Sequence, residues 1–143
     1  MSPAAASWAP FPEVTHTVTR ETIDAYAALT GDFNPLHVDP EYAAATPFGG
    51  VIAHGPIALQ AVFAAVATWL GADAVPTGIL IEAAYRAPVR IDDTVTCGGG
   101  PPSEFAGAVL VRASCVDQHD TEVLQALIVT PRGLAPAIVH RGP

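Results

Sequence analysis

Residues 56–70 constrain this chain more than any other stretch. They open with Pro56, which suits a first helical position because the N–H that proline lacks has no partner there. Behind it, only Gln60 and Thr68 interrupt an apolar run that ends at Leu70. As a helix the run would be roughly 22 Å long and apolar all the way round. Such a helix offers no face to water and must be enclosed. It is also too short for a bilayer core, which takes about 20 residues, so protein has to do the enclosing.

The enclosing material follows in sequence. Gly78–Arg86, Val89–Cys97, Glu104–Val116 and Val123–Thr130 read as strands. Turn signals at Pro88, Gly98–Pro102 and Asp117–Asp120 separate them. Connections this short force antiparallel pairing. One curved antiparallel sheet wrapped around one long central apolar helix is the economical answer, an α+β fold. Upstream, Glu13–Val18 reads as a short strand. Glu21–Leu29 reads as a helix with Ile23, Tyr26, Ala27 and Thr30 on one face, Thr19 as N-cap and Gly31 as its stop. Residues 1–12, rich in Ala, Pro and Ser, are expected to be a flexible arm, leaving 13–143 as a single domain.

Charge and composition narrow the function. The chain carries 6 cationic and 14 anionic residues, a net −8, and every cation is an arginine. A nucleic-acid binder needs a basic face, so that class is excluded. With no lysine there is no Schiff-base chemistry. Half of the residues are hydrophobic, more than a lone small domain should need, which points to an oligomer. Cys97 and Cys115 make no disulfide framework in a chain of 143 residues and read as small apolar strand residues. No Cys/His spacing suggests zinc, and a grouping of His37, Asp39 and His54 gives no fixed three-ligand face. The first dozen residues have neither a basic start nor an apolar run, so no signal peptide is expected, nor a membrane segment, and the expected compartment is the cytoplasm.

Two segments carry chemistry. The first is Asp32-Phe33-Asn34-Pro35-Leu36-His37-Val38-Asp39-Pro40. It reads as a loop made stiff by two prolines, which push Asn34 and Asp39 off helical angles. Asp32 and His37 sit on it as a carboxylate and an imidazole able to share one water, and rigidity is what such a pair needs. The same residues also suit an Asx turn, with Asp32 and Asn34 bonding backbone. The second segment is His54-Gly55-Pro56 at the start of the apolar helix. A helix N-terminus offers unpaired N–H groups and partial positive charge. Gly55 lets a ligand oxygen come close, and Pro56 has no N–H to give, so Gly55 would be the main donor, with His54 beside it. A core histidine and ordinary helix-start punctuation fit equally.

Residues 26–40, beginning Tyr26-Ala27-Ala28-Leu29-Thr30-Gly31 and running through Asp32, Asn34, His37 and Asp39, resemble the signature of the MaoC-like (R)-specific enoyl-CoA hydratases, the hydratase 2 family. Phe48-Gly49-Gly50-Val51-Ile52-Ala53-His54-Gly55 and Arg86-Ala87-Pro88-Val89-Arg90-Ile91-Asp92-Asp93-Thr94-Val95 resemble its later segments. The resemblance implies a hot-dog fold, usually a homodimer that joins two sheets edge to edge with active sites at the interface. It implies Asp32 and His37 as the catalytic pair, Asn34 as a support of the loop, and Gly55 as backbone donor to a thioester carbonyl. The implied reaction is reversible hydration of a trans-2-enoyl thioester, on CoA or an acyl carrier protein, to the (R)-3-hydroxyacyl thioester. No cofactor and no metal is implied.

Two positions depart from the pattern: Asp92 stands where glycine is common, and Pro56 where a larger apolar residue is usual. A hot-dog thioesterase is the alternative enzyme, but such proteins commonly place an acid on the central helix, and this one has only Gln60. A non-catalytic acyl-binding or partner subunit is the other alternative, weakened by the presence of Asp32, Asn34, His37 and Gly55 together.

Overall fold

The structure is a computed structural model and describes residues 7–138. Strand β1 (Val14–Thr17) leads into helix α1 (Arg20–Thr30), two short helices α2 (Pro35–Val38) and α3 (Pro40–Ala44), and the long helix α4 (Gly55–Leu70). Strands β2 (Leu80–Tyr85), β3 (Thr94–Gly99), β4 (Ser103–Phe105), β5 (Ala108–Val116) and β6 (Glu122–Pro131) follow. The sheet is antiparallel in the order β1-β3-β5-β6-β2, with β4 pairing β5 beyond the end of β3. It is one α+β domain in which a curved sheet holds α4 on its inner face, the hot-dog arrangement.

Local chemistry explains the element ends. Thr19 Oγ1 accepts the Thr22 N–H at 3.1 Å, and Gly31 closes α1 in the left-handed conformation (φ 75°). Helix α4 starts one residue earlier than the proline rule suggests, with Gly55 as its first residue and Pro56 second, and it ends at left-handed Gly71. Ile57, Ala58, Ala61, Val62, Ala65, Val66 and Trp69 are buried against Val95, Cys97, Val109, Val111, Leu124 and Ile128 of the sheet.

The expectation that α4 is enclosed on every side needs correcting. Pro56, Gln60, Ala64 and Thr68, one residue per turn, are exposed along its outer line. A single concave sheet covers a cylinder on one side and its flanks only.

Three further expectations are corrected. The predicted strand over Glu104–Val116 is a hairpin: Ala106 and Gly107 form a two-residue turn with φ of 50° and 79°, and Phe105 pairs with Ala108. The predicted strand from Val89 starts at Thr94, because Asp93 Oδ2 accepts the Arg90 N–H at 2.8 Å and Asp92 is left-handed at φ 69°. The arm over 1–12 is only partly among the described residues, and what is described is anchored. Phe11 is 8% exposed and packs edge-on to Trp69. The Trp69 Nε1–H donates to the Ala9 carbonyl at 2.8 Å, and Trp8 bridges to Ala137.

Cys97 and Cys115 are buried free thiols directly opposite each other on β3 and β5. Their mutual hydrogen bond, reinforced by burial, holds the Cys97 thiol well above its ordinary range. Among the described residues no helix is long and apolar enough to cross a membrane.

Candidate active site

The segment between α1 and α4 is organised by side-chain caps. Asp32 Oδ1 accepts the Asn34 N–H at 3.2 Å. Asn34 Oδ1 accepts the Leu36 N–H at 3.0 Å, and Asp39 Oδ1 accepts from Glu41 and Tyr42, each at 3.1 Å. Asn34-Pro35 and Asp39-Pro40 are therefore helix starts, a capping residue followed by a proline that needs no N–H partner. The stretch 32–40, expected to be an irregular stiff loop, instead contains the short capped helix α2 and the start of α3. Asn34 and Asp39 do lie off helical angles, and the Asx contacts are present.

The helical turn of α2 turns His37 toward the chain that leads into α4. His37 Nδ1 lies 2.7 Å from the Ile52 carbonyl. A carbonyl only accepts, so Nδ1 carries the proton and the neutral ring keeps its lone pair on Nε2. The Ile52–Ala53 backbone is itself pinned, with Ile52 N–H donating to Leu36 and Ala53 N–H to Val89 at 2.7 Å.

His54 is 2% exposed. Its Nε2–H donates to the Asp32 carbonyl at 2.9 Å. Its ring stacks on His37, centroids 4.0 Å apart and planes 29° apart, with Tyr26 at 4.7 Å on the other flank. His54 Nδ1 is buried without a protein partner among the described residues.

Asp32, His37 and His54 thus come together, each with a donor atom within 4.8 Å of the others. That spacing would also suit a metal ion, although two of the four imidazole nitrogens already donate to carbonyls. Asp39, grouped with the histidines in the sequence reading, instead caps α3. Asp32 is exposed and sits at the rim. Asn34 is an N-cap rather than a wall of the cavity.

His37, His54 and Gly55 line a cavity of about 350 Å³ together with Phe48, Ala58, Tyr85 and Val123. Its surface is mostly apolar and it opens at the N-terminus of α4, where partial positive charge concentrates. Arg86 borders it, its guanidinium donating to Gln125 Oε1 at 2.9 Å. Arg90 donates to the Phe48 carbonyl and so holds the 46–50 turn beside the cavity. Sequence reasoning missed Tyr85, whose ring crosses in front of Gly55; no local signal links a strand end to a helix start so far upstream.

The chain matches the MaoC like domain family over residues 3–98, more than half of its length. It is 39% identical over 79 residues to the 3-hydroxybutyryl-CoA dehydratase of Methylorubrum extorquens, covering 54% of this chain and 49% of that one. It is 38% identical over 82 residues to the (R)-specific enoyl-CoA hydratase of Rhodospirillum rubrum, covering 56% and 55%. The matches span about half the length of these curated relatives. Among solved structures, the (R)-hydratase of Aeromonas caviae superposes with a TM-score of 0.69 at 23% identity, covering 92% of this chain and 98% of that one. The unliganded R-hydratase PhaJ1 of Pseudomonas aeruginosa gives 0.66 at 23% identity, covering 96% of each. Fold, sequence match and the residues at the head of α4 agree: the chain belongs to the MaoC-like domain family.

Proposed function

We propose that the protein is a lyase that hydrates trans-2-enoyl thioesters to (R)-3-hydroxyacyl thioesters and runs the reverse dehydration. The observation that carries this reading is the convergence of the Asp32 carboxylate and the His37 imidazole beside a cavity headed by the Gly55 amide. Relatives named as enoyl-CoA hydratase and hydroxyacyl-thioester dehydratase support it.

With Nδ1 donating to Ile52, neutral His37 offers Nε2 to a water, and Asp32 accepts that water's other hydrogen. As the water oxygen bonds to C3, its proton passes to the Asp32/His37 pair. The C2=C3 electron pair moves toward the thioester carbonyl, whose oxygen takes negative charge against the Gly55 N–H and the helix N-terminus. The proton held by the pair then goes to C2, so H and OH add across the double bond and both groups return to their starting state. Asn34 acts at a distance, by starting α2 and so aiming His37.

An acyl-CoA fits a −8 chain better than an acidic carrier protein, because like charges would repel the latter. A homodimer fits the open line of α4 and the exposed edge strand β2, where Leu80 is 60% exposed; light scattering on purified protein tests it.

Hydration of crotonyl-CoA, followed by loss of enoyl absorbance, tests the activity. Asp32→Asn and His37→Gln should each lower kcat by about 10²- to 10⁴-fold with unchanged melting. Full activity in both would end this reading. Thiol release from a saturated acyl-CoA would point to a thioesterase instead, a reading disfavoured because Gln60 lies on the outer line of α4 and does not line the cavity.

A further inference from the structure

We propose that Tyr85 is a substrate-contacting residue of this site, its phenol hydroxyl giving the thioester carbonyl oxygen a second hydrogen bond beside the Gly55 amide. The inference deepens the hydratase reading and rests on it.

The helix start alone is short of donors. Pro56 has no N–H, and the Ile57 N–H is already spent on the His54 carbonyl at 3.0 Å. The Gly55 N–H, for which no protein acceptor is found among the described residues, is therefore the amide placed to meet a ligand oxygen at this end of α4. A developing oxyanion is held far better by two preorganised donors than by one. The second has to come from another element.

Tyr85, the last residue of β2, is in place to supply it. Its register against Leu124 of β6 carries the ring across the head of α4. A Cβ on Gly55 would lie 2.9 Å from Tyr85 Cζ and 3.2 Å from Oη. The phenol thus fills the space in front of the Gly55 Cα, one bond from the amide nitrogen. An oxygen accepting from that amide comes within reach of the hydroxyl. This contact also gives glycine at 55 its reason, since any side chain there would displace the phenol.

The hydroxyl is free to act. Among the described residues no hydrogen bond engages it, and burial and then the neighbouring Tyr26 phenol shift its ionisation upward. It therefore stays a neutral donor at physiological pH. Tyr85 is 52% exposed and lines the cavity, so a ligand can reach it. Arg86, the cation nearest in sequence, is turned to Gln125 and does not compete for the role.

The test is Tyr85→Phe, which keeps the ring and removes the donor. With crotonyl-CoA, kcat should fall about 10²- to 10³-fold, the effect of losing one oxyanion donor, while KM and melting temperature change little. Binding of 2,4-hexadienoyl-CoA to an Asp32→Asn background gives a readout independent of turnover. Carbonyl polarisation should red-shift the dienoyl absorbance, and Tyr85→Phe should reduce that shift. Unchanged kcat and an unchanged spectral shift in Tyr85→Phe would overturn the proposal. So would a Tyr85→Phe variant equal to the parent alongside a Tyr85→Ala variant altered only in its preference for acyl length, because the ring would then be a wall. If Asp32→Asn and His37→Gln retain activity, the hydratase reading fails. If they lose it while Tyr85→Phe keeps both kcat and the shift, only the role of Tyr85 fails.

Discussion

His54→Phe separates positioning from stability at this site. His54 is buried, and two of its interactions act through the ring as a flat body: the 4.0 Å stack on His37 and the 4.7 Å contact with Tyr26. Phenylalanine retains both. It loses the Nε2–H that donates to the Asp32 carbonyl at 2.9 Å, a net contribution of about 0.5–1.5 kcal/mol. It also removes Nδ1, a buried acceptor with no protein partner among the described residues, and relief of such a group is worth about 1–3 kcal/mol. The two terms oppose each other. The folded state should therefore keep its stability or gain about 1 kcal/mol, a rise of roughly 4 °C for a domain of this size.

Activity should move the other way. The Asp32 carbonyl is the tie between the end of α1 and the head of α4, and releasing it frees the carboxylate to drift. A drift of about 1 Å can cost about 10²-fold, so kcat for crotonyl-CoA hydration should fall about 10- to 10²-fold. KM should change less, because the cavity walls are intact. Differential scanning calorimetry and steady-state kinetics on the same preparation check both halves. A kcat within twofold of the parent would refute the positioning role. A melting temperature lowered by about 8 °C or more would refute the stability argument, since it would mean that the hydrogen bond outweighs the orphaned nitrogen.

Gly99→Ala would place a Cβ 2.6 Å from Phe11 Cδ1 and 2.9 Å from Val111 Cγ1; overpacking of that kind costs about 1–3 kcal/mol, read as a lower thermal midpoint, and an unchanged midpoint would mean that Phe11 is not packed on β3. Ala106→Asn should raise stability by about 1 kcal/mol, because Ala106 sits at φ 50° in a two-residue hairpin turn where asparagine is preferred and alanine is strained; urea unfolding checks it. For pH, burial and then Tyr26 raise the Tyr85 phenol above its ordinary 10.0. Stability tied to its neutral form is complete below pH 10.0 and is lost as pH rises through the raised value. Activity that uses the phenol as donor should fall over the same alkaline range, and Tyr85→Phe should lack that limb of the profile.

The fold was legible wherever one period dominated a long segment. The apolar run of α4 and the turn signals between the strands that follow it led to a sheet around a helix. What escaped was set by single backbone angles and distant contacts. Ala106 gives no turn signal, since alanine is rarely left-handed, so the β4–β5 hairpin read as one strand. Asp92, left-handed at φ 69°, marked a turn only through the resemblance, where glycine is common, so the late start of β3 was not read. Pro35 and Pro40 read as breakers, although proline behind Asn34 and Asp39 opens a helix as readily as it ends one. Phe11 looked like part of a loose arm because its partners, Trp69 and Gly99, lie far along the chain. At the site, the acid and the two histidines were visible in sequence. The tautomer of His37 was not, because it depends on the Ile52 carbonyl. Nor was Tyr85, because its place depends on the register of β2 against β6.

The electrostatic character of the site follows from what it does not spend charge on. Among the described residues the one cation bordering the cavity, Arg86, is engaged with Gln125, and both histidines donate to carbonyls. In the proposed reaction the electrophilic end would therefore be built from dipoles: the Gly55 amide, the α4 terminus and a neutral phenol. A ground-state thioester carbonyl has little charge, so dipoles grip it weakly. In the proposed hydration, addition of water at C3 makes the oxygen anionic, and the same dipoles, already oriented in an apolar cavity, would stabilise it strongly. That difference between the two states lowers a barrier, whereas uniform tightness would only lower KM. A lysine or free arginine at this spot would also attract the phosphates of a nucleotide-bearing acyl group away from their place. In the proposed hydration, dipoles at the head of α4 would meet the acyl oxygen, while proton transfer at C3 and C2 would fall to Asp32 and His37.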